Sequence, residues 1–268
     1  MLDRSFAVHS LAAVVLFAVA GCASNQHEAK QASGHAKESG PHTTHWSYSG
    51  ATGPEHWGSL SPEYALCSTG RNQSPIDIAS TTPRDLANIT FNYQPSPMSI
   101  INNGHTVQVN YAPGSYVLID GERFDLAQFH FHAPSEHTIK GKHAAAEMHL
   151  VHKSASGGLA VVGVMLREGE ANAAFAPIAA NIPDDGHKVE KPEILVNAGA
   201  LLPADARTYR YSGSLTTPPG TEGVKWNLML EPVTISSSQL AAFRRQYDGN
   251  NRPIQKLNGR EILEDTTR

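Results

Sequence analysis

Two cysteines in 268 residues exclude a disulfide-built scaffold and any four-cysteine metal site. Charged residues make up only 17% of the chain and the formal net charge is −4. No basic stripe interleaved with aromatics exists, so the chain has no electrostatic affinity for nucleic acid. Long apolar runs are also missing, except for FAVHSLAAVVLFAVAGC at 6–22. That run is short and ends in small residues, which makes it an export signal rather than a spanning helix. No internal repeat and no second linker divide the remainder, which is long enough for one large domain.

The segment VAGC at 19–22 resembles a bacterial lipobox, with Cys22 as the lipidated first residue of the mature chain. Ordinary cleavage or an uncleaved anchor are the alternatives. The expected division is a lipoprotein signal peptide at 1–21, a tether at 22–44 and a folded domain at 45–268. Residues 23–44 are polar without an apolar period, which suits a flexible spacer holding a domain off a membrane. Ala23 matches the pattern that directs such proteins to the outer membrane, on the periplasmic side of a Gram-negative envelope. With Cys22 lipidated, Cys67 has no intrachain partner and is either buried and inert or a liability.

Within the domain, short segments alternate in period 2 between turn signals. HTVQVNY (105–111), YVLIDG (116–121), DLAQFHFHA (125–133), AAEMHLVHK (145–153), LAVVGVMLRE (159–168) and WNLMLEPVTI (226–235) predict strands. Helical pattern is confined to 171–182 and to 237–246, the second behind a serine cap. The expected fold is mainly β: a large, mostly antiparallel twisted sheet with short peripheral helices.

Histidine is not scarce: there are 14. In QFHFHAPSEH (128–137), strand alternation directs His130 and His132 to one face and Phe129 and Phe131 to the other. In AEMHLVH (146–152), Glu147, His149 and Val151 share a face, and His152 points away. A neighbouring strand that places His149 across from the first pair completes a three-histidine face. Three neutral imidazoles with an open fourth position suit catalytic zinc, which lowers the pKa of a bound water to about 7. Gln128 and Glu147 each precede a ligand by two residues on its own face, where they would accept the second ring N–H.

QFHFHAPSEHT, AEMHLVH, NQSPIDI (72–78), NNGH (102–105) and SLTTPP (214–219) resemble the alpha-class carbonic anhydrases, specifically their bacterial branch. The resemblance covers roughly residues 45–261. It implies zinc on His130, His132 and His149, and reversible hydration of CO2 by zinc hydroxide. By the same resemblance, Thr216 would orient that nucleophile through a hydrogen bond to Glu136, and Thr216 and Thr217 would hold substrate or bicarbonate. Val151, Val161, Leu215 and Trp226 would form the apolar wall beside CO2. His105 would shuttle the proton, with Tyr48, Asn103, Gln108 and Tyr211 ordering the waters of its path. Anions and sulfonamides would inhibit, activated esters would be side substrates, and a homodimer is allowed for.

His137, His143 and His187 receive no role beyond a surface or structural one. Bacterial relatives commonly pair a cysteine just after TTPP with one shortly before NQSP; here Cys67 is present and Gly220 occupies the other place. The expectation is a softer Thr216 loop or lower stability without loss of chemistry. The alternatives in function are a non-catalytic zinc-binding or zinc-storage lipoprotein of the same fold, the latter drawing on His27, His35 and His42 of the tether.

Overall fold

The computed structural model of the protein describes residues 44–267. The signal at 1–21, Cys22 and the tether as far as residue 43 lie outside the described residues. No helix among the described residues is long and apolar enough to cross a membrane.

The alternating segments form strands at Val107–Asn110, Tyr116–Ile119, Glu122–His132, Ala146–Ser154 and Leu159–Glu168. They belong to a 13-stranded sheet in which Glu122–His132, Ala146–Ser154, Leu159–Glu168 and Glu222–Met229 lie side by side at the centre. Most pairings are antiparallel, but Leu159–Glu168 runs parallel to both Glu222–Met229 and Val233–Ile235. The single strand expected over 226–235 is therefore two. Pro232 stands in the break between them, where it cannot donate to a ladder. Strands Ser96–Asn102, Lys188–Val196 and Thr208–Ser214 also lie on the main path.

Of the two predicted helices, Ser237–Arg244 forms behind Ser236 with a full capping box to Gln239, satisfying two of the orphan donors at its start. The segment 171–182 yields only one α-turn, Ala176–Ala179: Pro177 has no N–H to donate back to the preceding turn and is tolerated only in the first turn of a helix.

Alternation along Glu122–His132 separates core from site. Phe129 and Phe131 are buried in the main apolar cluster with Met148, Leu150, Phe175 and Phe243; full burial of each aromatic ring contributes about 2–3 kcal/mol. His130 and His132 take the opposite face.

His152 lies on the core side, fully buried, with Nε2 on the Tyr93 hydroxyl at 2.8 Å and no hydrogen-bond partner for Nδ1 among the described residues. Burial holds its imidazole at about 4, below the ordinary 6.5. The folded state therefore binds fewer protons than the unfolded state between pH 4 and 6.5, and stability is lost on acidification through that window. The gap, at about 1.4 kcal/mol per pH unit, amounts to about 3 kcal/mol. His152→Gln should flatten the fall in unfolding free energy between pH 6.5 and 4 by that amount. Parallel curves for the two proteins in denaturant titrations would contradict this.

Candidate metal centre

Strand register assembles the three histidines. His149 is paired across the ladder with His130, Glu147 with His132, and His130 on its other side with Gln108. The ring centroids lie 5.0 Å apart for His130 and His132, 5.3 Å for His130 and His149, and 4.6 Å for His132 and His149.

In each ring one nitrogen is already committed. His130 Nδ1 donates to Gln128 Oε1 at 2.9 Å, His132 Nδ1 to the Asn250 carbonyl at 2.6 Å, and His149 Nε2 to Glu147 Oε1 at 2.8 Å. These acceptors fix the tautomers and leave lone pairs on His130 Nε2, His132 Nε2 and His149 Nδ1. The three rings offer ligand atoms within 4.8 Å of one another. His132 Nε2 is buried and has no hydrogen-bond partner among the described residues, an orphaned lone pair that is costly unless a cation takes it. Burial, with the neighbouring rings, pushes His130 well below the usual imidazole range, and burial holds His132 at about 4. Three convergent ring nitrogens, two of them on buried imidazoles, suit a metal ion.

The Glu147 carboxylate is the hub beneath them. Its Oε1 accepts from His149 Nε2 and His137 Nδ1, both at 2.8 Å, and its Oε2 from the backbone N–H groups of Glu136 and His137. Burial alone would raise this carboxyl, but His137 and His149 outweigh it and hold it well below the usual range. Gly163 sits across from His149, and a Cβ there would meet Leu228 Cγ at 3.2 Å and Glu147 Oε1 at 3.3 Å. Glycine gives the carboxylate its room.

His137 is fully buried. With Nδ1–H on Glu147, its Nε2 accepts from the Tyr211 hydroxyl at 2.6 Å. Tyr211 O in turn accepts from Ser74 Oγ at 2.8 Å, and Ser74 Oγ accepts from the backbone N–H of Ser214 at 3.1 Å. Directed donation thus runs from the foot of the Thr216 loop to the His149 acceptor. Tyr211 is a correction: expected along a solvent path, it is 6% exposed with its hydroxyl spent on Ser74 and His137.

Glu136 is fully buried, and its Oε1 accepts from the Arg252 backbone N–H at 2.8 Å. Its Oε2 has no hydrogen-bond partner among the described residues and lies 3.5 Å from His132 Nε2 and 3.9 Å from His149 Nδ1. Burial pushes the carboxyl up to about 7, against the opposing pull of His149 and of the Thr216 hydroxyl beside it. Thr216 itself is buried, and the Thr217 carbonyl accepts from Gly220 N–H.

The apolar residues are contiguous. Val151 pairs with Val161, and Val161 with Trp226, on three adjacent strands; Leu215 packs against the same cluster. The Trp226 ring meets that of His149 edge-on at 4.9 Å.

His105 is half-buried and stacks on Trp46, with ring centroids 3.7 Å apart and planes 8° off parallel. Burial and then His45 hold its imidazole below the ordinary 6.5, against a smaller opposing effect of Asp185. Asn103 Oδ1 accepts from the His105 and Thr106 N–H groups, shaping the turn that carries the ring. Gln108 Nε2 donates to Asn110 Oδ1, and Tyr48 packs against Trp46 and Trp57. His143 and His187 each bond a nearby carbonyl, outside the centre. Sequence reasoning missed His137, Asn250, Arg252 and Trp46. Only His137 carried a signal, as the residue adjoining Glu136 in SEH.

A cone of three imidazoles on a twisted sheet, backed by a carboxylate and walled by aliphatic side chains, defines a mononuclear metal-enzyme site. The chain matches the family model of the eukaryotic-type carbonic anhydrases over residues 52–266. A carbonic anhydrase of Klebsiella pneumoniae is 47% identical over 224 residues, covering 82% of this chain and 91% of the relative. The alpha-carbonic anhydrase of Thermovibrio ammonificans, solved with the inhibitor sulfanilamide, is 46% identical with a TM-score of 0.80, covering 82% of this chain and 99% of that one. That of Photobacterium profundum is 44% identical with a TM-score of 0.78, covering 82% and 100%. The chain belongs to the alpha-carbonic anhydrases, and its chemistry is the hydration of carbon dioxide.

Proposed function

We propose that His130 Nε2, His132 Nε2 and His149 Nδ1 hold a zinc ion, and that the residues around it convert CO2 and water reversibly to bicarbonate and a proton. The observation that carries this is the set of three ligand atoms within 4.8 Å, each freed by commitment of its ring partner. Zinc bound there acidifies water and so supplies the nucleophile at neutral pH.

The chain's own residues do the rest. Val151, Val161, Leu215 and Trp226 give CO2 a surface that asks for no hydrogen bonds. In the reaction, Glu136 Oε2 accepts a hydrogen bond from the Thr216 hydroxyl, which leaves the Thr216 oxygen as an acceptor toward the reacting water. The Thr216 N–H and Thr217 steady the bicarbonate oxygens. His105 accepts the released proton and passes it to solvent over waters ordered by Tyr48, Asn103 and Gln108. Sulfonamides, one of which inhibits the Thermovibrio enzyme, would occupy the open zinc position.

Stopped-flow CO2 hydration by the zinc-loaded chain tests this, and a rate no greater than that of buffer alone would overturn it. His105→Ala should slow turnover roughly tenfold or more in dilute, bulky buffer, with recovery on adding imidazole. Because burial and His45 hold His105 below 6.5, the shuttle is neutral at pH 7 and fails only in more acid solution. His45→Ala should move that acid edge upward in pH.

The apolar run at 6–22 and Cys22 support a lipid-anchored protein on the periplasmic side of the outer membrane, for which membrane fractionation is the measurement.

A further inference from the structure

Thr216 sits in the loop 215–221 between the paired strands Thr208–Ser214 and Glu222–Met229, with Ser214 opposite Glu222. The loop's internal backbone bonds are few: Leu215 N–H to the Thr221 carbonyl and Gly220 N–H to the Thr217 carbonyl, both 2.9 Å. These do not fix its distance from Glu136, which belongs to a separate segment.

Two consecutive residues of another segment hold both feet. Ser74 exchanges bonds with Ser214, its N–H donating to Ser214 Oγ at 2.9 Å and its Oγ accepting from Ser214 N–H. Gln73 Nε2 donates to the Gly220 carbonyl at 2.8 Å and to Glu222 Oε1 at 3.1 Å. Gln73 Oε1 then accepts from Arg252 Nη1 at 2.9 Å. Arg252 also donates from Nη1 to the Ser74 carbonyl and from Nη2 to the Cys67 carbonyl, both 2.8 Å. Its own backbone N–H is the donor on Glu136 Oε1.

Gln73 and Arg252 are 3% and 1% exposed. A guanidinium so buried, whose side chain meets no carboxylate in an ion pair among the described residues and whose Nε has no partner, is retained at a desolvation cost. Its fork joins three acceptors on the 67–74 segment, and its main chain joins the fourth group, Glu136.

We infer that Gln73 and Arg252 are positioning residues: a polar clamp that sets the Thr216 loop at a fixed distance from Glu136. The inference rests on the roles proposed above for Thr216 and Glu136. The clamp also spans the place where a covalent link would go. Gly220 has φ +70°, and a Cβ there would stand 2.8 Å from Cys67 Sγ. With no covalent tie between 67 and 220, the Gly220 end of the loop depends on the Gln73 amide.

Gln73→Glu separates the two halves of the clamp. It keeps an oxygen for Arg252 but turns the other toward the Gly220 carbonyl and the Glu222 carboxylate, where a donor is required. Hydrogen exchange of residues 215–221 in the zinc-free protein should quicken about tenfold, the worth of one buried hydrogen bond. Exchange in the central strands should stay unchanged. In the zinc-loaded protein kcat should fall by a similar factor with little change in KM.

Adding Gly220→Cys to Gln73→Glu and oxidising it onto Cys67 should restore slow exchange and kcat together, and reductant should remove both. Gln73→Leu, which lacks both polar contacts, is the second variant and should quicken loop exchange at least as much. Unchanged loop exchange, or exchange quickened equally throughout the sheet, would overturn the clamp. The exchange readout needs neither zinc nor CO2, so it still reports on the clamp in an enzyme that is inactive for other reasons.

Discussion

Replacing His149 by alanine should empty the centre of zinc and lower CO2 hydration by roughly 10³-fold or more. Several kcal/mol of transition-state stabilisation depend on the ion. The same substitution should also destabilise the fold. Glu147 is ionised and fully buried, and His149 is one of the two imidazoles that hold it so. Truncating one partner of a buried charge costs about 3–5 kcal/mol when the charge is left uncompensated. His130→Ala provides the contrast. The acceptor it leaves is the neutral Gln128 amide, so it should lose zinc and activity equally while costing less stability. Metal analysis, stopped-flow rates and thermal unfolding of both variants are the measurements. One zinc per chain and a normal rate in either variant would remove these histidines from the centre.

The parts legible in the sequence are those that strand period encodes. His130, His132 and Gln128 share a face because they are two residues apart, and so do Glu147, His149 and Val151. Their ladder partnership then follows from one register. Glu136 and Thr216 follow no period: one lies in the bend after Glu122–His132 and the other in a strand-connecting loop, so only the family resemblance pointed to them. Asn250 and Arg252 were illegible for a different reason. They act on His132 and Glu136 through a backbone carbonyl and a backbone N–H, which nearly every residue type possesses. The parallel pairing of Leu159–Glu168 with Glu222–Met229 likewise has no local turn to announce it, since the partners are far apart in sequence. Tyr211 misled for want of its partners. A tyrosine just ahead of SLTTPP could serve water or core, and only the positions of Ser74 and His137 decide.

Glu136 makes opposite demands on activity and stability, and Glu136→Gln should expose the conflict. The amide oxygen can still accept from Arg252 N–H, so the segment keeps its place. The other end then offers an N–H where the Thr216 hydroxyl needs an acceptor. Thr216 must turn its proton elsewhere, and its oxygen no longer serves the reacting water as acceptor. Loss of one preorganised interaction of this kind costs roughly 10²–10³ in kcat, with zinc retained because the three imidazoles are untouched. In the zinc-free protein the substitution should be stabilising above neutrality. Burial raises the Glu136 carboxyl from 4.5 to about 7, so the folded state holds its proton more tightly than the unfolded state. Stability therefore falls as pH rises from 4.5 through 7, by about 3 kcal/mol at about 1.4 kcal/mol per pH unit. Glutamine has no proton to lose and escapes that decline. Unfolding free energies of zinc-stripped wild type and variant should converge near pH 4.5 and separate by pH 8, with the variant higher. A variant that keeps its full turnover would show that Glu136 does not direct Thr216, and one less stable than wild type at pH 8 would show that it does not destabilise the zinc-stripped fold.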